Sequence, residues 1–111
     1  MTYQHKELSL GRWREFSFFE QMANVGTEVG RAINWRARDQ KLSQAAFERA
    51  LELLDLTIDD KKNKSRLREL LRTREVLADY FAGENVYQSS DSNWQNYFYA
   101  FNYAARLNSG V

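Results

Sequence analysis

Residues 65–83 read SRLRELLRTREVLADYFAG, and this stretch decides the fold. Leu67, Leu70, Leu71, Leu77, Ala78 and Phe81 recur at the intervals that gather apolar side chains on one face of an α-helix. Ser65 stands at an N-cap position, and Gly83 supplies a stop because glycine enters the left-handed conformation that ends helices. The spacing predicts a helix over 65–82.

Working outward, Lys61 to Lys64 form a polar connection to a preceding helix over 42–59, which carries Leu42, Ala46, Ala50, Leu53 and Leu54 and has Ser43 near its start as a cap. Asp39 to Lys41 read as a turn. Before it, residues 9–36 show helical spacing through Phe16, Phe19, Met22, Ala23, Val25, Val29, Ala32 and Ile33. Beyond Gly83, the polar segment 84–92 reads as loop. A last helix over 93–107 presents Trp94, Tyr97, Phe98, Phe101, Ala104 and Ala105.

Four amphipathic helices with short connections predict an all-α fold, an antiparallel up-and-down four-helix bundle forming one domain over 1–111. The first helix, at ~28 residues and ~1.5 Å per residue, would be ~42 Å long and would have to bend or project beyond its partners. Gly26 and Gly30 lie within it and provide a bend or a close crossing, a tight intramolecular contact being the simpler reading.

Composition narrows the function classes. The 111 residues suffice for one core, and the formal net charge of +1 creates no global field demanding a polyanion. With no cysteine and a single histidine, His5, thiol chemistry and histidine-based metal cages are excluded. No apolar run approaches a membrane span and the N-terminal residues do not read as a signal peptide, so a cytoplasmic location is expected. No Glu-x-x-His pair, phosphate loop, nucleophile elbow or zinc spacing occurs, and the Arg-x4–6-His motif of bundle ribonucleases is missing. The expectation is a non-enzyme with no metal, cofactor or small-molecule substrate. The Asp59–Asp60 pair, at a helix end before a basic loop, reads as solvated turn charge.

Two faces are more apolar than one bundle core requires. The apolar residues of the first helix spread over roughly 200° of its circumference, where a bundle member needs about half that. The second helix is similar, because Phe47, Leu51 and Ile58 flank its stripe. Phe18, Val25 and Val29 together with Phe47, Leu51 and Ile58 are therefore the expected homo-oligomer or partner interface. Two charges sit on apolar faces, Glu15 in the first helix and Arg74 in the third. A buried Glu15–Arg74 ion pair fixing register is expected, because an unpaired buried charge is costly.

The neutral total conceals a local excess. Residues 61–74 carry seven basic side chains and one acid, while the flanking segments are net acidic. Lys61, Lys62, Lys64, Arg66, Arg68 and Arg72 are candidate phosphate contacts. Tyr99, Tyr103 and Arg106, at i, i+4 and i+7, could stack on an unpaired base or hold a partner side chain.

The layout, with its long aromatic first helix, Leu67-x-x-Leu70-Leu71-x-x-Arg74, a polar loop and a final aromatic helix ending Ala104-Ala105-Arg106, resembles small bacterial four-helix bundles grouped with proteins encoded in 23S rRNA intervening sequences. That group includes the accessory variability proteins of diversity-generating retroelements. The resemblance implies a self-associating accessory protein that binds a protein partner, such as a nucleic-acid enzyme, and contacts RNA or DNA. A second resemblance, to the helical partner subunits of minimal nucleotidyltransferases, implies the alternative: a protein-interaction or antitoxin-like module without nucleic-acid binding, since their arginine–histidine motif is absent here.

Overall fold

The computed structural model describes residues 11–109, and all regular structure among them is helical. A short α1 (Gly11–Arg14) precedes α2 (Phe18–Trp35), α3 (Gln40–Asp59), a 3-10 helix (Lys61–Arg66), α4 (Leu67–Ala82) and α5 (Asp91–Ser109). The predicted helices are therefore present, with one correction of substance. The single first helix over 9–36 is broken at 15–17, its two leading residues lying outside the described range.

The cause is a capping box. Ser17 adopts an extended backbone (φ −66°, ψ 164°), its hydroxyl accepts the Glu20 amide at 3.1 Å, and Glu20 Oε1 accepts the Ser17 amide at 2.8 Å. Both donors would otherwise be unmet at a helix start, so Ser-x-x-Glu begins a new helix here. The break lets α1 fold across the end of α2 and α3, where Trp13 is 1% exposed and donates its indole N–H to the Thr57 hydroxyl.

Other boundaries shift for similar reasons. Asp39, not Ser43, caps α3 by accepting the amides of Lys41 and Leu42. Ser43 is buried and donates instead to the Ala32 carbonyl at 2.7 Å, tying α3 to α2. The expected Ser65 cap does not form: the connection is itself helical, and the chain passes from 3-10 to α geometry at Leu67 with no side-chain cap. At α5, Ser90 and Asn93 bond reciprocally, side chain to amide, and the helix begins there.

The core is built chiefly on α2. Met22, Val25, Val29 and Ala32 are buried against Ala46, Phe47, Ala50, Leu53 and Leu54 of α3 on one side and Trp94 and Phe98 of α5 on the other. This explains the wide apolar arc of α2, since a helix packed between two neighbours buries two flanks. Gly26 permits the second contact. A Cβ there would lie 2.7 Å from Phe98 Cβ, whereas one at Gly30 would meet nothing within 4 Å. α4 contributes less, burying Leu70, Thr73 and Leu77. Leu42, Leu67 and Leu71, expected in the core, are 44%, 39% and 50% exposed.

Candidate nucleic-acid interface

The basic segment starts from a buried carboxylate. Asp60 caps the 3-10 helix by accepting the Lys62 amide, and it is 5% exposed. That corrects the sequence reading of Asp60 as a solvated turn charge, although Asp59 beside it is exposed. Its Oδ2 accepts from Gln21 Nε2 at 2.8 Å and pairs with the Lys62 ammonium. Gln21, wholly buried on α2, also donates to the Trp13 carbonyl at 3.0 Å and accepts from Asn63 Nδ2 at 2.8 Å; Asn63 in turn donates to the Thr57 carbonyl. Burial pushes the Asp60 carboxyl up, but the hydrogen bonds from Lys62 and Gln21 together outweigh it and hold it below the ordinary carboxylate value. Each buried polar group in this cluster has a partner, so the cluster pins the turn to α1, α2 and α3.

From this anchor the cations project outward. Lys61 and Lys64 are exposed and three residues apart in a 3-10 helix, where such positions eclipse. Arg68 and Arg72 follow one α-helical turn apart, also exposed. Arg66 is exposed and lies flat, its guanidinium 4.2 Å from the Phe18 ring centroid and 5.7 Å from that of Phe19. None of these five pairs with a carboxylate among the described residues. Lys62 is the exception, bound to Asp60 and to the Arg14 carbonyl. Of six candidate phosphate contacts, five are therefore uncompensated and one is structural.

Past the ridge, the loop after α4 folds back onto the helix. The Asp79 carboxylate accepts the amides of Val86 and Tyr87 at 3.0 and 3.1 Å, with Asn85 and Gln88 in left-handed conformations. Tyr87 is thereby laid against α4, where it faces the Arg72 guanidinium at 4.8 Å and donates to Glu75. Tyr97 on α5 bonds Thr73 and Glu69 of α4, and burial, opposed by the Thr73 bond and aided by the Glu69 charge, pushes its phenol up to about 12.

The remaining candidates are placed elsewhere. Tyr99 is 62% exposed and lines a groove with Thr27 and Gly30 of α2, on the flank of α5 away from Arg72; Tyr103 and Arg106 are exposed further along the helix. The tyrosines thus do not share a surface with the basic residues of α4. Phe18, Val25, Val29 and Phe47 are buried within the chain, and Leu51 and Ile58 pack against the same core. Of the surface expected to join copies, Phe18, Val25 and Val29 are covered by neighbouring helices and Phe47 by Phe81 of α4, while Leu51 and Ile58 stay partly exposed. Arg74 also departs from expectation, because it pairs with Asp55 of α3 at 2.7 Å while Glu15 is exposed at the break before α2. The hydrogen bond to Asp55 raises the Arg74 pKa further. The helix break that frees Glu15 carried a legible signal, Ser17 with Glu20; the Asp55 partner carried none, because helix spacing does not say which neighbour lies alongside. A second buried carboxylate, Glu28, was unforeseen and is held by Arg31 and Arg49 at 3.0 and 3.2 Å.

Among the described residues, no group of three His, Cys, Asp or Glu side chains is placed to hold a metal, and no helix is long and apolar enough to cross a membrane. No family model, curated protein or solved structure matches the chain.

Proposed function

We propose that this chain is a non-catalytic helical accessory protein that contacts the phosphate backbone of nucleic acid through Lys61, Lys64, Arg66, Arg68 and Arg72. The observation that carries the reading is the ridge of five exposed, unpaired cations held on a buried, fully bonded anchor. A surface that presents charge without carboxylate partners gains from releasing the counterions of a polyanion, and a rigid mounting lowers the entropy lost on binding. The four longer helices are taken as an up-and-down bundle. Opposed registers support this: Ala32 meets Ser43 whereas Glu28 meets Arg49, Phe47 meets Phe81 whereas Asp55 meets Arg74, and Phe18 meets Phe101 whereas Gly26 meets Phe98.

The test is binding of labelled single- and double-stranded RNA and DNA across a salt series. Affinity should fall steeply with salt, and Lys64→Ala or Arg68→Ala, which break no ion pair among the described residues, should each lower the slope of log K against log salt by about 1. Salt-independent binding, or unchanged slopes, would remove the phosphate reading.

A second reading has its own observation. Tyr99, Tyr103 and Leu107 are 62%, 54% and 61% exposed at four-residue spacing on α5. Such a stripe fits the side of a partner helix, so self-association or docking to another protein is assigned to α5 and not to α2 and α3. Tyr103→Lys should abolish a sedimentation shift that depends on this stripe while leaving the salt slope unchanged.

A further inference from the structure

The ridge of cations leads into a pocket. α4, the loop after it and the start of α5 border an open, shallow depression of about 250 Å³, lined by Arg72, Val76, Ser89, Asn93, Trp94 and Tyr97 among others. Arg72 is at once the last cation of the ridge and part of this lining. The loop that borders the pocket is held by Asp79 and by the reciprocal bonds between the Asn85 side chain and the Ser89 backbone.

The chemistry of the lining is particular. Tyr97, half-buried, offers aromatic surface, and the buried Trp94 ring stands perpendicular to it at 6.0 Å. Ser89 spends its backbone on Asn85 and Asn93 its Oδ1 on the Ser90 amide, while the Ser89 hydroxyl and the Asn93 amide nitrogen have no bond among the described residues. Trp94 Nε1 is the buried side-chain polar atom among the described residues that has no partner, and Trp94 is only 6% exposed.

We infer that this pocket takes one unpaired nucleobase of a single strand whose phosphates lie along Arg68 and Arg72. The Tyr97 ring stacks on the flat face of any base, the Ser89 and Asn93 groups meet its polar edge, and the Arg72 guanidinium at the mouth meets the phosphate on its flank. A duplex, whose bases are stacked and paired, has nothing to insert. The inference deepens the phosphate reading above and depends on it: the ridge supplies affinity for any strand, and the pocket supplies preference for unpaired bases.

The experiment compares wild-type protein with three probes of equal length at fixed salt: a single-stranded oligonucleotide, the same backbone with abasic sites throughout, and the corresponding duplex. The expected result is at least tenfold tighter binding of the single strand than of the abasic strand or the duplex. Val76→Phe, which fills the pocket from α4 and removes no cation, should bring the single strand to the abasic level while the abasic affinity keeps its salt slope. Equal affinity for single and abasic strands on the wild-type protein overturns the pocket while leaving the ridge standing. Absence of binding to any of the three overturns both. The wild-type comparison decides the matter even where Val76→Phe lowers stability.

Discussion

Replacing Gln21 by leucine tests whether the buried polar cluster mounts the basic turn. Leucine fills a comparable volume without polar atoms, so the loss is chiefly polar. Three hydrogen bonds disappear: to Asp60 at 2.8 Å, to the Trp13 carbonyl at 3.0 Å and from Asn63 at 2.8 Å. The groups left behind are not orphaned, since Asp60 keeps Lys62, Asn63 keeps the Thr57 carbonyl and Trp13 keeps the Phe16 amide. The bond to the Asp60 carboxylate is charge-assisted and contributes about 1.5–3 kcal/mol, and the two neutral bonds about 0.5–1.5 kcal/mol each. Leucine gives back roughly 1 kcal/mol through the smaller rotamer entropy it loses on burial. The net expectation is a loss of about 3 kcal/mol, read as a lower urea midpoint with an unchanged m-value.

The same variant should alter acid sensitivity. The Asp60 pKa is depressed in the folded chain, so its contribution is complete above the ordinary value of 3.8 and is lost as pH falls through the lower folded value. Removing the Gln21 bond brings the folded pKa towards the unfolded one and flattens that part of the stability profile. Binding should weaken as well, although no cation is removed, because the ridge loses its fixed mounting. A loss below about 1 kcal/mol, within the ordinary scatter of benign changes, with an unaltered acid limb would refute the reasoning and make Asp60 a solvated charge after all.

Three further outcomes are expected. Gly26→Ala should destabilise by about 1–3 kcal/mol through its overlap with Phe98, whereas Gly30→Ala, free of neighbours within 4 Å, should stabilise by up to about 1 kcal/mol from helix propensity, both measured by thermal unfolding. Trp94→Phe keeps an aromatic ring and removes the unpartnered N–H, so its stability should stay within about 1 kcal/mol of wild type; a loss of about 3 kcal/mol would mean the indole nitrogen is bonded in solution. Tyr97→Phe should delete a phenolate transition near 12 from the ultraviolet titration, and a tyrosine spectrum unchanged by the substitution at that pH would contradict the burial of its hydroxyl.

Much of the molecule follows from the order of its residues alone. Apolar spacing located four helical segments, Gly83 marked the end of one of them, and counting charge along the chain isolated residues 61–74. These are local properties: a helix bonds its own backbone, so its apolar period suffices to place it, although the caps read at Ser43 and Ser65 do not form and Gly83 ends its helix at φ −105°, outside the left-handed region. Even the break before Phe18 was written in Ser17 and Glu20, overlooked because the apolar spacing runs through it.

Partnership was decided by tertiary structure. Phe18, Val25 and Val29 read as surplus apolar surface until α5 is placed against α2, which turns two flanks of one helix into core, and Phe47 until Phe81 of α4 is laid on it. Leu67 and Leu71 lie on an apolar face yet stay exposed, because α4 meets its neighbours along a narrower strip. Arg74 takes Asp55 and not Glu15, and Asp60 sinks into a cluster drawn from four elements. A wheel drawn for one helix fixes which residues share a face; only the packing of several helices fixes which face is covered, and by what.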